Sequence, residues 1–122
     1  MGHARGDTRR RLDPAGARLV ATTFQALATP SRLLILSTLG EGPCTVREIT
    51  EAVAMAQSAV SHQLRLLRNL GLVVGERHGR NVVYQLHDQH VAELIDQAVF
   101  HAEHVRLGAV DRAPVAETSP AP

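Results

Sequence analysis

The sequence predicts a mainly α fold with one small β-hairpin, and three observations carry that reading. Leucine- and alanine-rich stretches with helical spacing occupy most of the 122 residues. Two β-rich runs flank a Gly-Arg turn between residues 72 and 88. Ahead of that hairpin stand two helices separated by a short turn, and one further helix follows it.

Taken in order, "PAGARLVATTFQALA" predicts a first helix, with Leu19, Val20, Phe24 and Leu27 spaced for one face. Thr29-Pro30 supplies a cap and a proline at the first helical position. The nearly all-apolar "SRLLILSTLG" that follows is expected to be the central buried helix, ending at Gly40-Glu41-Gly42-Pro43. Thr45 and Glu48 have capping-box spacing and start a short third helix through Ala52 or Val53. After the turn "AMAQ", "SAVSHQLRLLRNLG" forms a fourth helix stopped by Gly71. "LVVGERHGRNVVYQLHD" is the hairpin and "HVAELIDQAVFHAEH" belongs to the last helix. This order is that of a winged helix-turn-helix. Residues 13–107 are expected to form the domain, with a mobile tail at 1–12 and a disordered one at 108–122.

Composition narrows the function. A formal net charge of +1 does not by itself mark a nucleic-acid binder, so the distribution of charge matters more. Between Gln57 and His87 stand Arg65, Arg68, Arg77 and Arg80 against one acid, Glu76. All thirteen Lys and Arg residues are Arg, which suits bidentate phosphate and guanine contacts. The lone Cys44 excludes an internal disulfide and a multi-cysteine metal site. With no signal-peptide pattern and no run long enough to span a bilayer, the expectation is a cytoplasmic protein without membrane attachment.

On a wheel of about 100° per residue, Val60, Leu64 and Leu67 share one side of the fourth helix, with Ala59, Leu66 and Leu70 beside them. Gln57, Ser58, Ser61, His62, Arg65, Arg68 and Asn69 take the remaining arc. Hydroxyls, an amide, an imidazole and guanidiniums are the groups that hydrogen-bond base edges and phosphates in a major groove. An ordinary solvated face is also polar, but is usually rich in Glu and Lys, and this arc has neither. Arg77, His78 and Arg80 around Gly79 would rest a basic hairpin tip on the phosphate backbone. Standing alone, that tip would be an ordinary charged turn.

The last helix carries His90, Gln97, His101 and His104 on a stripe about 60° wide, next to an apolar face of Val91, Leu94, Ile95, Ala98, Val99 and Ala102. His90 and His101 lie about 16 Å apart along the axis, so one helix cannot bring both to one ion. Two antiparallel copies crossing near Ile95 and Asp96 could, by setting Asp88 and His90 of one chain against His101 and His104 of the other. His101 and His104, at i and i+3, are neighbours suited to chelation. The bland alternative is that these histidines are solvated beside a dimer seam. His87 falls outside the stripe and is left out of the candidate set.

"LATPSRLLIL", "VREITEAVAMAQSAVSHQLRLLRNLGLV" and "GRNVVYQL" together resemble the ArsR/SmtB family of metal-sensing repressors, over roughly residues 20–107. The resemblance implies a homodimer that binds double-stranded operator DNA when metal-free and releases it on metal binding. It also implies that Gln57, Ser58, Ser61 and His62 stand at base-reading positions, and that Asp88, His90, His101 and His104 are inter-subunit ligands. The family's other common site, a cysteine pair near the third helix, is not present.

One carboxylate and three imidazoles suit tetrahedral Zn(II) or four positions of octahedral Ni(II) or Co(II). "MGH", "FQALATPSRL" and "HVAELIDQAVFHAEH" resemble the family's nickel- and cobalt-sensing branch. Removal of Met1 would leave Gly2-His3, a compact chelator that could add two ligands; the other reading is an incidental histidine in a tail. Residues 105–122 contain no histidine, a departure from that branch that leaves zinc open. The expected function is a Ni(II)/Co(II)-released repressor. The alternatives are a Zn(II) sensor or a winged-helix regulator with a non-metal inducer. A metal-dependent hydrolase ranks lowest, because no general-base motif or substrate loop accompanies the ligands.

Overall fold

The computed structural model describes residues 11–117, and their side chains as far as residue 108. Five helices and three strands follow in order: α1 (Pro14–Leu27), α2 (Pro30–Gly40), β1 (Cys44–Thr45), α3 (Val46–Val53), α4 (Gln57–Asn69), β2 (Val73–His78), β3 (Asn81–Leu86) and α5 (Gln89–Glu117).

Local signals account for most of the boundaries. Asp13 caps α1 by accepting from the Gly16 N–H at 2.7 Å, and Thr29 caps α2 by accepting from the Arg32 N–H at 3.3 Å. Both halves of the Thr45/Glu48 capping box form at the start of α3. α4 ends in a paired closure: Gly71 N–H bonds the Arg68 carbonyl at 3.0 Å and Leu72 N–H bonds the Leu67 carbonyl at 2.9 Å. Gly71 sits at φ +76°, the left-handed position this closure needs. His78 pairs with Asn81 across a two-residue turn, and Gly79 takes the positive φ (+66°) that a primed hairpin turn demands.

The hairpin is not alone. β1 pairs antiparallel with β3, Cys44 opposite Tyr84 and Thr45 opposite Val83, so β3 is the centre of a three-stranded sheet. Two residues carry no readable strand periodicity, and the pairing depends on β3 arriving from 38 or more positions away. The core joins Ile35 and Leu36 of α2, Ile49 of α3, Val60, Leu64 and Leu67 of α4, and Val73 of β2.

Three helices differ from what their apolar spacing suggests. α1 buries only Ala26 and Leu27, whereas Leu19 and Phe24 stay 72% and 55% exposed within one chain. α2 is likewise central on one side only: Ile35, Leu36 and Leu39 are buried, but Leu33 and Leu34 face outward. The apolar periodicity was real, but the chain's own elements do not cover that face. α5 also runs as helix to Glu117, past the boundary at 107 expected from the fading apolar pattern. Its first turns pack inward through Val91 and Ile95, while Ala98, Val99 and Ala102, on the same apolar face, remain exposed.

Candidate nucleic-acid interface and metal centre

α4 is seated by three residues of zero exposure, Val60, Leu64 and Leu67, which turn the opposite arc outward. Gln57, Ser58, His62 and Arg65 are exposed there and Ser61 is half-buried, so the candidate reading residues share one accessible face. Ala56 at the start of α4 offers no side-chain cap, leaving the first N–H groups of the helix open.

The connection into α4 holds a feature not legible in the sequence. Ala54 closes α3 in the left-handed region at φ 55° and ψ 47°, where alanine pays a steric penalty. A second feature also escaped. Arg32, on α2, donates from Nε to Gln63 Oε1 of α4 at 2.9 Å and from Nη1 to the Ala26 carbonyl of α1 at 3.4 Å. The guanidinium therefore ties α4 to two helices of the body. A separation of 31 residues hides such a pair from any local pattern.

On the hairpin, Arg77 and Arg80 are exposed. The one acid nearby, Glu76, pairs with His78 at 3.5 Å. Arg65, Arg68, Arg77 and Arg80 have no acidic partner among the described residues, so their charge is free for phosphates.

At the start of α5 the structure brings Asp88 and His90 together, with His90 Nδ1 3.8 Å from Asp88 Oδ2. Asp88 occupies the position before the first helical residue and its Oδ1 accepts the Val91 N–H at 3.1 Å. That backbone hydrogen bond, followed by the one from His87 and the proximity of His90, holds the Asp88 carboxyl below its ordinary range. The carboxylate is thus ionised and available to a cation. His87, left out on spacing, contacts Asp88 directly: Nδ1 lies 3.2 Å from Oδ2.

His101 and His104 are exposed further along α5, where the His104 ring stacks on Phe100 with centroids 6.1 Å apart and planes at 16°. They are not brought to Asp88 and His90. Among the described residues no three His, Cys, Asp or Glu side chains gather closely enough in one chain to hold a metal. Gly2 and His3 lie outside the described residues. Cys44 is half-buried, and burial, then Glu48 and Glu41, push its thiol above the usual range, away from the thiolate a soft metal binds.

A helix-turn-helix with an accessible polar face and a basic hairpin beside it is the architecture of a DNA-binding regulator. The chain belongs to the arsR family of bacterial regulatory proteins, whose family model matches residues 29–74. It is 61% identical over 105 residues to the HTH-type transcriptional regulator NmtR of Mycobacterium tuberculosis strain H37Rv, covering 86% of this chain and 88% of that protein. The solution structure of apo-NmtR aligns with a TM-score of 0.68 and 58% identity, covering 85% of this chain and 86% of that one. A homodimeric winged helix-turn-helix DNA-binding domain from Mycobacterium bovis aligns with a TM-score of 0.69 and 33% identity, covering 78% of this chain and 91% of that domain. No single helix among the described residues is long and apolar enough to cross a membrane.

Proposed function

We propose that the chain is a metal-responsive repressor that grips operator DNA as a metal-free homodimer and lets go when it binds Ni(II) or Co(II). The observation that carries this reading is the divided ligand set on α5. Asp88 and His90 meet at one end, His101 and His104 stand exposed at the other, and among the described residues no three such side chains of one chain gather around an ion.

The donors fit a divalent ion. They comprise one carboxylate, in contact with His87 and His90, and three imidazoles, all exposed. Asp88 and His90 of one protomer, with His101 and His104 of the other, would hold it, twice per dimer by symmetry. Bound there, the ion supplies a cross-link between two helices and no reaction chemistry. Gly2 and His3 are proposed as additional ligands, which would complete six-coordination.

A second copy also accounts for the uncovered apolar surface. Leu33 and Leu34 of α2 with Ala98, Val99 and Ala102 of α5 line an apolar groove of about 420 Å³. Ile95 reaches it too but is mostly turned into its own core, so the crossing near Ile95 and Asp96 relies on those exposed neighbours.

Gln57, Ser58, Ser61, His62 and Arg65 read the major groove, while Arg77 and Arg80 hold phosphates. Each α4 is fixed on its body by the core and by Arg32, so reorienting the protomers changes the spacing of the two reading helices. A coupling of about 1–3 kcal/mol is enough to move operator occupancy. The test is a titration of the dimer with Ni(II), Co(II) and Zn(II), with operator affinity measured at each step. His101→Ala and His104→Ala should keep metal-free operator affinity and lose release. A response to Zn(II) alone, or to none of the three ions, would overturn the nickel/cobalt assignment or the metal reading respectively.

A further inference from the structure

We propose that His87 is a positioning residue that holds the Asp88 carboxylate in the orientation the cation requires. This rests on the metal reading above.

His87 is a joint residue, one position after β3 and one before the cap of α5. Its main chain has no slack. The His87 N–H donates to the Leu72 carbonyl at 3.0 Å, and Leu72 is 5% exposed and is itself bonded through its N–H to Leu67 of α4 at 2.9 Å. The imidazole is therefore carried on a backbone anchored to the end of the reading helix.

The ring in turn fixes the carboxylate. An ionised carboxylate oxygen can only accept, so the 3.2 Å contact places the hydrogen on His87 Nδ1. Asp88 Oδ1 is taken by the Val91 N–H at 3.1 Å. With one donor on each oxygen, rotation of the carboxylate is blocked at both ends. The lone-pair capacity left on Oδ2 is on the atom that His90 Nδ1 approaches, at 3.8 Å. The ligand is oriented before any ion arrives, as outer partners orient metal ligands elsewhere.

A purely stabilising role is a poor account of this pair. The His87 and Asp88 side chains are 49% and 44% exposed, and an exposed pair of this kind adds little to folding. The pair's value lies in direction, which matters only if something binds to Asp88.

The experiment compares His87→Leu and His87→Asn in the full-length dimer. An asparagine side-chain nitrogen can donate to Oδ2 much as Nδ1 does; leucine cannot. His87→Leu should weaken Ni(II) and Co(II) binding by about 10- to 100-fold. Metal-free operator affinity and melting temperature should stay at wild-type levels, and His87→Asn should recover most of the metal affinity. The absorption bands of the cobalt-loaded His87→Asn dimer should match wild type. Undiminished metal affinity in His87→Leu overturns the proposal, and so does an altered cobalt spectrum in His87→Asn, which would make His87 a ligand. His101→Ala separates the two levels. If it too binds metal normally, the α5 site itself is wrong; if it loses metal while His87→Leu does not, only the role of His87 falls.

Discussion

The two oxygens of Asp88 have different duties. Oδ1 caps α5 through the Val91 N–H, and Oδ2 faces His87 and His90. Asp88→Asn keeps an acceptor for the cap and removes the charge, whereas Asp88→Ala removes both. Both variants should lose metal-dependent release, but only Asp88→Ala should melt markedly earlier at neutral pH, as read by thermal unfolding. The pH dependence has a definite sign. A carboxyl depressed on folding adds stability above its unfolded value, and that stability is lost as pH falls through the folded one. The smaller gap between wild type and Asp88→Asn should therefore close below pH 3.8, the ordinary value of this carboxyl. Asp88 and His90 were legible as neighbours because they are two residues apart. The contact from His87 was not, because a helical wheel says nothing about a residue that precedes the helix.

Among elements, the proposed DNA contacts are divided between α4 and the β2–β3 hairpin. α4 presents hydroxyls, an amide and an imidazole, whereas the hairpin presents Arg77 and Arg80 without acidic partners. Arg65→Ala should weaken operator binding about tenfold, through a lost groove contact, while metal stoichiometry is unchanged. Arg77→Ala with Arg80→Ala should weaken binding to all sequences alike. Their removal should also lower the slope of log affinity against log salt by roughly one per arginine. An unchanged slope in a salt titration would place the hairpin off the DNA. The apolar stripe of α4 and its glycine stop were readable, since both are local. The left-handed Ala54 was not, because alanine there is held by its surroundings and not favoured by its own conformational preference.

For the whole molecule, the uncovered apolar surface is the deciding feature. Leu19, Phe24, Leu34 and Phe100 are each more than half exposed in one chain, and Leu34 lines an apolar groove with Ala98, Val99 and Ala102. Val99→Asp, placed in the groove between α2 and α5, should give monomers that lose high-affinity metal binding and operator binding together. Sedimentation velocity checks the first outcome and titration the others. A Val99→Asp chain that stays dimeric would put the two-fold seam elsewhere.

The sequence by itself determined the order of elements, the caps at Thr29 and Thr45, the stripe that seats α4 and the separation of His90 from His101 and His104 along α5. Each depends on neighbours within a few turns, where chain geometry alone relates one residue to the next. Only the tertiary structure decided that Cys44–Thr45 becomes a third strand, that Arg32 grips Gln63, that His87 meets Asp88 while anchored to Leu72, and which apolar faces stay open. Those depend on segments far apart in the chain, or on the junction between a strand and a helix, where no period carries the information. A periodic pattern shows that a residue needs an apolar neighbour; only the packed fold shows whether its own chain supplies one.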